Sequence, residues 1–169
     1  MSNFKEISTA EIGNVFKLIG KDWMLITTAD KEKINVMTAS WGSMGVLWRK
    51  DVCTVFIRPQ RYSYGLMEES DTFSLAFFGE KHREALNFCG SASGRDCDKL
   101  KECGLTGAFV GKTPIVCEAE MVLLCKKLYS DDLRPECFEN DEPLYTYKNG
   151  DFHRFYICEI VKALKKVNS

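Results

Sequence analysis

Apolar positions fall into two kinds of run along this chain. Near the start, Ile12, Val15, Phe16 and Ile19 recur at helical spacing, which predicts a short amphipathic helix closed by Gly20. Beyond it, β-branched and large side chains crowd into continuous stretches. These are Trp23 to Thr28, Ile34 to Trp41, Val52 to Ile57, Thr72 to Phe78, Ile115 to Tyr129 and Phe152 to Val167. The polar turn Ala29-Asp30-Lys31-Glu32 joins the first two as a hairpin, and the third stops at Arg58-Pro59 because proline cannot donate to a ladder. Between the second and third runs stands the small-residue stretch Gly42-Ser43-Met44-Gly45. Helical patterns cover Arg61 to Glu69, Glu80 to Phe88, and Asp98 to Cys103 before Gly104. An irregular stretch with Arg134-Pro135 and Glu142-Pro143 precedes the last run.

Six strands with only short helices between them do not alternate as the βαβ units of a doubly wound nucleotide fold do. The pattern predicts a mainly β chain, a small closed barrel with helices packed outside, since closure removes exposed strand edges. Periodicity alone leaves a two-sheet sandwich open. At 169 residues the chain can bury one core but not two ordinary ones, so residues 1–169 are expected to form a single domain.

Charge and cysteine content narrow the possible partners. With 23 basic and 24 acidic residues the chain lacks the positive excess that sequence-independent nucleic-acid binding uses. Met1 to Ile12 shows no basic leader followed by an apolar stretch, and no uncharged run is long enough to cross a bilayer. A cytoplasmic protein without membrane contact is expected. In that setting the eight cysteines, Cys53, Cys89, Cys97, Cys103, Cys117, Cys125, Cys137 and Cys158, read as reduced thiols. No pair forms CxxC, and His82 and His153 lie far apart, so no metal site is expected. Cys53, Cys117, Cys125 and Cys158 fall within apolar strands and are expected to be buried as small hydrophobes.

Three clusters of small residues with hydroxyls or arginines carry the candidate chemistry. Thr38-Ala39-Ser40-Trp41 would let a flat ligand approach the backbone beside an aromatic wall, although an ordinary strand end has the same composition. Arg58-Pro59-Gln60-Arg61-Tyr62-Ser63 sets two arginines around a stiff turn that leads into a helix, a suitable cradle for a phosphate monoester or simply a solvated helix start. Ser91-Ala92-Ser93-Gly94-Arg95-Asp96, with Lys99, could reach a ligand's polar tail or a neighbouring subunit, or hold only a surface ion pair.

Taken together, Asp22-Trp23-Met24-Leu25-Ile26-Thr27, Asn35-Val36-Met37-Thr38-Ala39-Ser40-Trp41, Phe56-Ile57-Arg58-Pro59-Gln60-Arg61-Tyr62-Ser63, Phe73-Ser74-Leu75 and Ser93-Gly94-Arg95-Asp96 with Lys99 form an ordered array. It resembles the flavin reductase-like FMN-binding family, in its flavoredoxin-like branch, from about Trp23 to Val167. The resemblance implies a six-stranded Greek-key split β-barrel with short flanking α-helices, a homodimer, and FMN in preference to FAD near the subunit interface. By the same resemblance, Thr38, Ala39, Ser40 and Trp41 line the isoalloxazine and ribityl chain, while Arg58, Arg61, Tyr62 and Ser63 hold the phosphate end. Ser93, Gly94, Arg95, Asp96 and Lys99 complete the site, and His153 is a candidate catalytic residue on the nicotinamide side.

The chain departs from that pattern at Arg154 and Cys158, and in a long insertion from Leu128 to Gly150. Both NAD(P)H and a small redox protein therefore stay open as electron donors. The function implied is that of a flavin-dependent oxidoreductase, an electron-transfer protein or flavin reductase working through bound FMN. The alternatives are an NAD(P)H:flavin oxidoreductase that supplies reduced flavin to a partner, and a flavin-binding module without turnover. His82 is expected at the surface, and thiol chemistry through Cys97 and Cys103 is a further reading.

Overall fold

A computed structural model describes residues 4–31 and 33–167. The leader reading for Met1 to Ile12 and the turn at Glu32 thus fall partly outside the described residues. The strands are β1 (Phe4–Ile7), β2 (Met24–Asp30), β3 (Lys33–Ala39), β4 (Gly42–Leu47), β5 (Lys50–Ile57), β6 (Thr72–Phe77), β7 (Gly107–Val110), β8 (Thr113–Val116), β9 (Met121–Asp132) and β10 (Arg154–Lys166). Helices are α1 (Val15–Lys17), α2 (Tyr62–Glu69), α3 (Arg83–Ser91) and α4 (Lys99–Glu102).

The main sheet is antiparallel and runs β3-β2-β6-β9-β10-β5-β4, with β1 on the far half of β10, while β7 and β8 form a separate hairpin. Strands from all six apolar runs stand side by side in it, although the run from Ile115 to Tyr129 is broken after Val116 into β8, in the separate hairpin, and β9. β3 and β4 lie at opposite edges of this order, yet only Ser40 and Trp41 join them. Only a sheet that curls on itself brings its edges so close. Because the chain crosses there and β4 pairs with β5 instead of β3, the barrel stays split where the strand pattern predicted closure.

The continuous apolar runs have a direct cause: the central strands are buried on both faces. Alternate residues Met24 and Ile26, Phe73, Leu75 and Phe77, and Met121, Leu123 and Cys125 fill the barrel. Their neighbours Leu25, Ala76, Val122 and Leu124 join Leu86, Cys89 and Leu100 of α3 and α4 in an outer core. Cys53, Cys125 and Cys158 pack inside the barrel, with the Cys53 and Cys125 sulfurs 3.6 Å apart. Cys117 differs from expectation, lying half-buried past the end of β8 where a turn begins.

Two further stretches differ from their reading in the sequence. The opening segment is a 3-10 turn (Thr9–Glu11), then α1, then a π-helical turn (Leu18–Asp22) that contains Gly20, and it ends at Trp23 with φ of 67°. Ile19 is buried, but Phe16 is 92% exposed, so the apolar stripe faces outward in part. The small-residue stretch at Gly42 is strand β4, not a break. A Cβ at Gly42 would stand 2.7 Å from the Thr54 carbonyl oxygen, so glycine permits the close pairing with β5. The β4–β5 hairpin turns on Trp48 and Arg49 with φ of 54° and 60°, a conformation that bulky side chains rarely adopt. β1, a four-residue strand with two exposed charges, carried no readable signal.

Candidate functional site

The split between β3 and β4 is where a groove opens. Its first part, a cavity of about 270 Å³, is lined by the end of β3 (Met37 to Ala39), the Ser40-Trp41 crossing, Phe56 of β5, Arg58 just past its end, Arg61, Gly90 and His153. Strand alternation explains the β5 contribution, since Val55 and Ile57 point into the barrel while Phe56 and Arg58 face the groove. The Thr38 hydroxyl donates to the Leu86 carbonyl oxygen (2.5 Å), tying β3 to α3. The Trp41 and His153 rings lie 5.1 Å apart, with Phe56 set edge-on to His153 at 6.4 Å. This part has flat walls and a polar strand end.

Arg58 lines this first part together with Arg61. Its Nη2 donates to the Thr146 carbonyl oxygen (3.1 Å), its Nη1 lies 3.6 Å from the Asp151 carboxylate, and its guanidinium covers the Tyr147 ring. Asp151 thus offsets the Arg58 charge on one side, while that charge is still felt at Arg61. His153 is buried, with Nδ1 2.8 Å from the Tyr147 hydroxyl. Burial, helped by Arg58 and opposed by Asp151, lowers its pKa to about 4, so the imidazole is neutral at neutral pH.

The second part, about 310 Å³, lies between the start of α2 and the loop after α3. Arg61 lines both parts and joins them. Its Nη2 donates to the Gly90 carbonyl oxygen (2.7 Å), and burial together with Arg58 lowers its pKa. Arg61 is also the N-cap of α2 and supplies no side-chain cap, so the first-turn N–H groups of Tyr62 and Ser63 keep their donor capacity on the wall. The Ser63 hydroxyl accepts from Asn35 Nδ2 (2.7 Å). Ser93 and Gly94 form the opposite wall, and a Cβ at Gly94 would overlap Asn35 Oδ1 and stand 2.6 Å from Tyr62 Cδ1.

Arg95 crosses the Tyr62 ring and donates to the Gln60 carbonyl oxygen (3.1 Å). Lys99 is buried, its Nζ reaching the carbonyl oxygens of Cys89 (3.1 Å) and Ala92 (3.4 Å), and burial lowers its pKa. Among the described residues Arg61, Arg95 and Lys99 have no carboxylate partner. Lys99 is buried and Arg61 half-buried, and cations so placed without a counter-ion are costly, a cost that an anionic ligand beside them removes; Arg95 is exposed.

Twelve of the thirteen expected cofactor-binding residues line one part of the groove or the other; Asp96 is exposed and outside both. The sequence reading did not assign Asn35, Met37, Phe56, Gly90, Tyr147 or Asp151. Phe56 was signalled by its place two residues before Arg58, whereas Tyr147, from the insertion, and Asp151, just past it, stand behind Arg58 and His153 without lining the groove. Cys103 faces Cys89 (3.8 Å between sulfurs), while Cys97 turns to the Ser93 carbonyl oxygen, so the suggested Cys97 and Cys103 pair is not formed. His82 is half-buried, edge-on to Phe78 at 5.3 Å.

Comparison with known proteins places these features in context. A family model described as the flavin reductase like domain matches residues 17–167. No curated protein matches by sequence. Among solved structures, an FMN-binding domain of a flavin reductase-like enzyme from Shewanella baltica superposes with a TM-score of 0.70 at 20% identity, over 96% of this chain and 77% of that one. Flavoredoxin from Methanosarcina acetivorans gives 0.66 at 19% identity, over 94% and 74%. An FMN-binding protein from Thermus thermophilus with bound p-hydroxybenzaldehyde gives 0.68 at 18% identity, over 94% and 79%, and the same protein is similar with bound cyclohex-2-enone.

Proposed function

Since the chain belongs to the flavin reductase-like domain family, we propose that it binds FMN along the split-barrel groove and carries electrons through the bound flavin. One observation carries this reading. The groove is continuous through Arg61, flat-walled and charge-balanced at one end, and lined at the other by three cations without carboxylates. FMN has the matching asymmetry, a planar ring system at one end and a phosphate monoester at the other. The monoester also favours FMN over FAD. The residues present fit the group: Arg61, Arg95, Lys99 and the α2 amides form the donor set, and Gly94, where a Cβ would overlap Asn35 and crowd Tyr62, lets the loop after α3 close against the start of α2 as a wall of that cavity.

In this reading Arg61, Ser63, Ser93, Arg95 and Lys99 hold the phosphate, and Thr38 to Trp41 hold the ring. When bound, flavin supplies the redox chemistry, accepting a hydride or single electrons. The protein's own part is to orient the ring, shield one side from water, and present a neutral His153 near the entrance. The space beside Trp41 and His153 would admit a nicotinamide or another small flat electron donor or acceptor.

The protein is further proposed to work as a homodimer. An apolar hollow of about 790 Å³, lined by Val15, Phe16, Ile19, Trp41 and Met44, shares Ser40 and Trp41 with the flavin groove. Val46, Leu47 and Trp48 extend it along β4, whose outer edge is unpaired among the described residues. A second copy covering this face would border the ring end.

Anaerobic mixing of FMN-loaded protein with NADH or NADPH separates the readings. Fast bleaching of the flavin supports a reductase. Bleaching only by a reduced small redox protein supports a carrier, and reduction by dithionite alone supports a flavin-binding module. A protein that stays colourless after incubation with FMN contradicts all three.

A further inference from the structure

Of the segment between β9 and β10 only His153 lines the groove, and the rest builds the ground behind it. Two 3-10 turns, Pro135–Cys137 and Pro143–Tyr147, fold it back over the strand ends. Phe138, Tyr147 and Phe152 pack there, with Tyr147 stacked on Phe152 at 4.6 Å and an interplanar angle of 16°. The stacking and the Arg58 guanidinium above the same ring hold Tyr147 with its hydroxyl 2.8 Å from His153 Nδ1.

The hydrogen-bond inventory sets the direction of that contact. Each of the two atoms has the other as its one partner among the described residues. Burial raises the Tyr147 pKa, so the phenol keeps its proton, and a phenol is the better donor where a neutral imidazole nitrogen is the better acceptor. The charged and titratable groups facing His153 are Arg58, Asp151 and Tyr147, and the net effect of site and burial disfavours a second proton on the ring. Nδ1 is then the bare nitrogen, and Nε2 carries the hydrogen on a ring that lines the groove.

We infer that Tyr147 is a positioning residue that locks His153 as the Nε2–H tautomer, so that the groove offers one neutral donor to a planar ligand bearing a carbonyl or carboxamide oxygen. Such a donor favours an uncharged acceptor oxygen without acting as an acid or base. The identity of the ligand's neighbour, FMN, rests on the reading above; the tautomer does not.

The test uses both facts. Long-range 1H–15N spectra of histidine-labelled protein, with H82Q leaving a single imidazole, report which His153 nitrogen is protonated in FMN-free and FMN-loaded samples. The expected spectrum has Nδ1 bare and Nε2 protonated, unchanged from pH 8 to about pH 5.5. In FMN-loaded protein, 4-hydroxybenzaldehyde should perturb the flavin absorption at lower concentration than p-cresol, which lacks the carbonyl. Y147F should give mixed tautomers and reduce that preference about fivefold. H153F should abolish it, and H153Q, which keeps an N–H, should retain it and be insensitive to added Y147F. A wild-type spectrum with the proton on Nδ1, or an unchanged tautomer and preference in Y147F, overturns the inference. Failure to bind FMN sinks the flavin reading alone, because the FMN-free spectrum still decides the tautomer; if Y147F does not fold, the wild-type spectrum and H153Q decide it.

Discussion

The two ends of the groove solve different problems with different materials. The anion end is built from short, contiguous stretches, Gln60 to Ser63 and Ser91 to Arg95, whose backbone and glycine geometry shape the cavity. Among the described residues its cations lack carboxylates, which leaves their charge for an anionic ligand to balance. The ring end is assembled from β3, the β3–β4 crossing, Phe56, Gly90 and His153, and of its two arginines Arg58 already faces Asp151 while Arg61 is shared with the anion end. On the proposed reading, binding energy and selectivity separate here: the anion end supplies affinity for a ligand with the right phosphate, and the ring end selects what lies beside it.

That division breaks most visibly at Gly94. G94V places a branched side chain where even a Cβ overlaps Asn35 and crowds Tyr62, and FMN affinity should fall by about a hundredfold or more, followed by fluorescence quenching on titration. R61A should weaken FMN by about thirtyfold, within the range for one lost charge-assisted bond, yet leave riboflavin nearly unchanged because riboflavin lacks the phosphate. If riboflavin suffers equally, Arg61 serves the ring and not the phosphate.

W41A should act in the opposite sense. It removes a flat wall of the ring end, so FMN and riboflavin should both weaken by about fivefold to tenfold, again read by titration. Smaller still is the effect of His153 on pH stability. As pH falls from the ordinary value of 6.5 toward about 4, the unfolded imidazole takes up a proton that the folded one refuses. The unfolded chain then binds more protons, so stability declines across that window and levels off below it. H153Q should remove this part of the slope in denaturant melts made at successive pH values.

The same contrast governs how much of the molecule could be read in the chain. Strands buried on both faces announce themselves as continuous apolar runs, and strands from all six runs stand together in the sheet. Gly104, with φ of 63° just after α4, and Asp98, accepting from Lys101 N–H as its N-cap, are local signals that matched the structure. β4 was hidden because glycine and serine carry little strand propensity, and its pairing depends on the absence of a Cβ at Gly42, a property of the partner strand. At the site, the anion loop was legible because its residues are contiguous. Arg58 and Arg61 both line the first part of the groove and only Arg61 also lines the second, a division that the spacing around Pro59 cannot show. Tyr147 was invisible because only the folded insertion brings it to His153, and Asp151, although near His153 in sequence, gave no sign that it faces Arg58.

The central claim is that one groove holds both the ring and the phosphate of FMN. Equilibrium titration of the purified, flavin-free protein with FMN and with riboflavin, followed by absorbance and desalting, tests it most directly. The account predicts one FMN retained per chain with a perturbed flavin spectrum, and markedly weaker retention of riboflavin. Equal affinity for the two flavins, or no retained flavin of either kind, would contradict it.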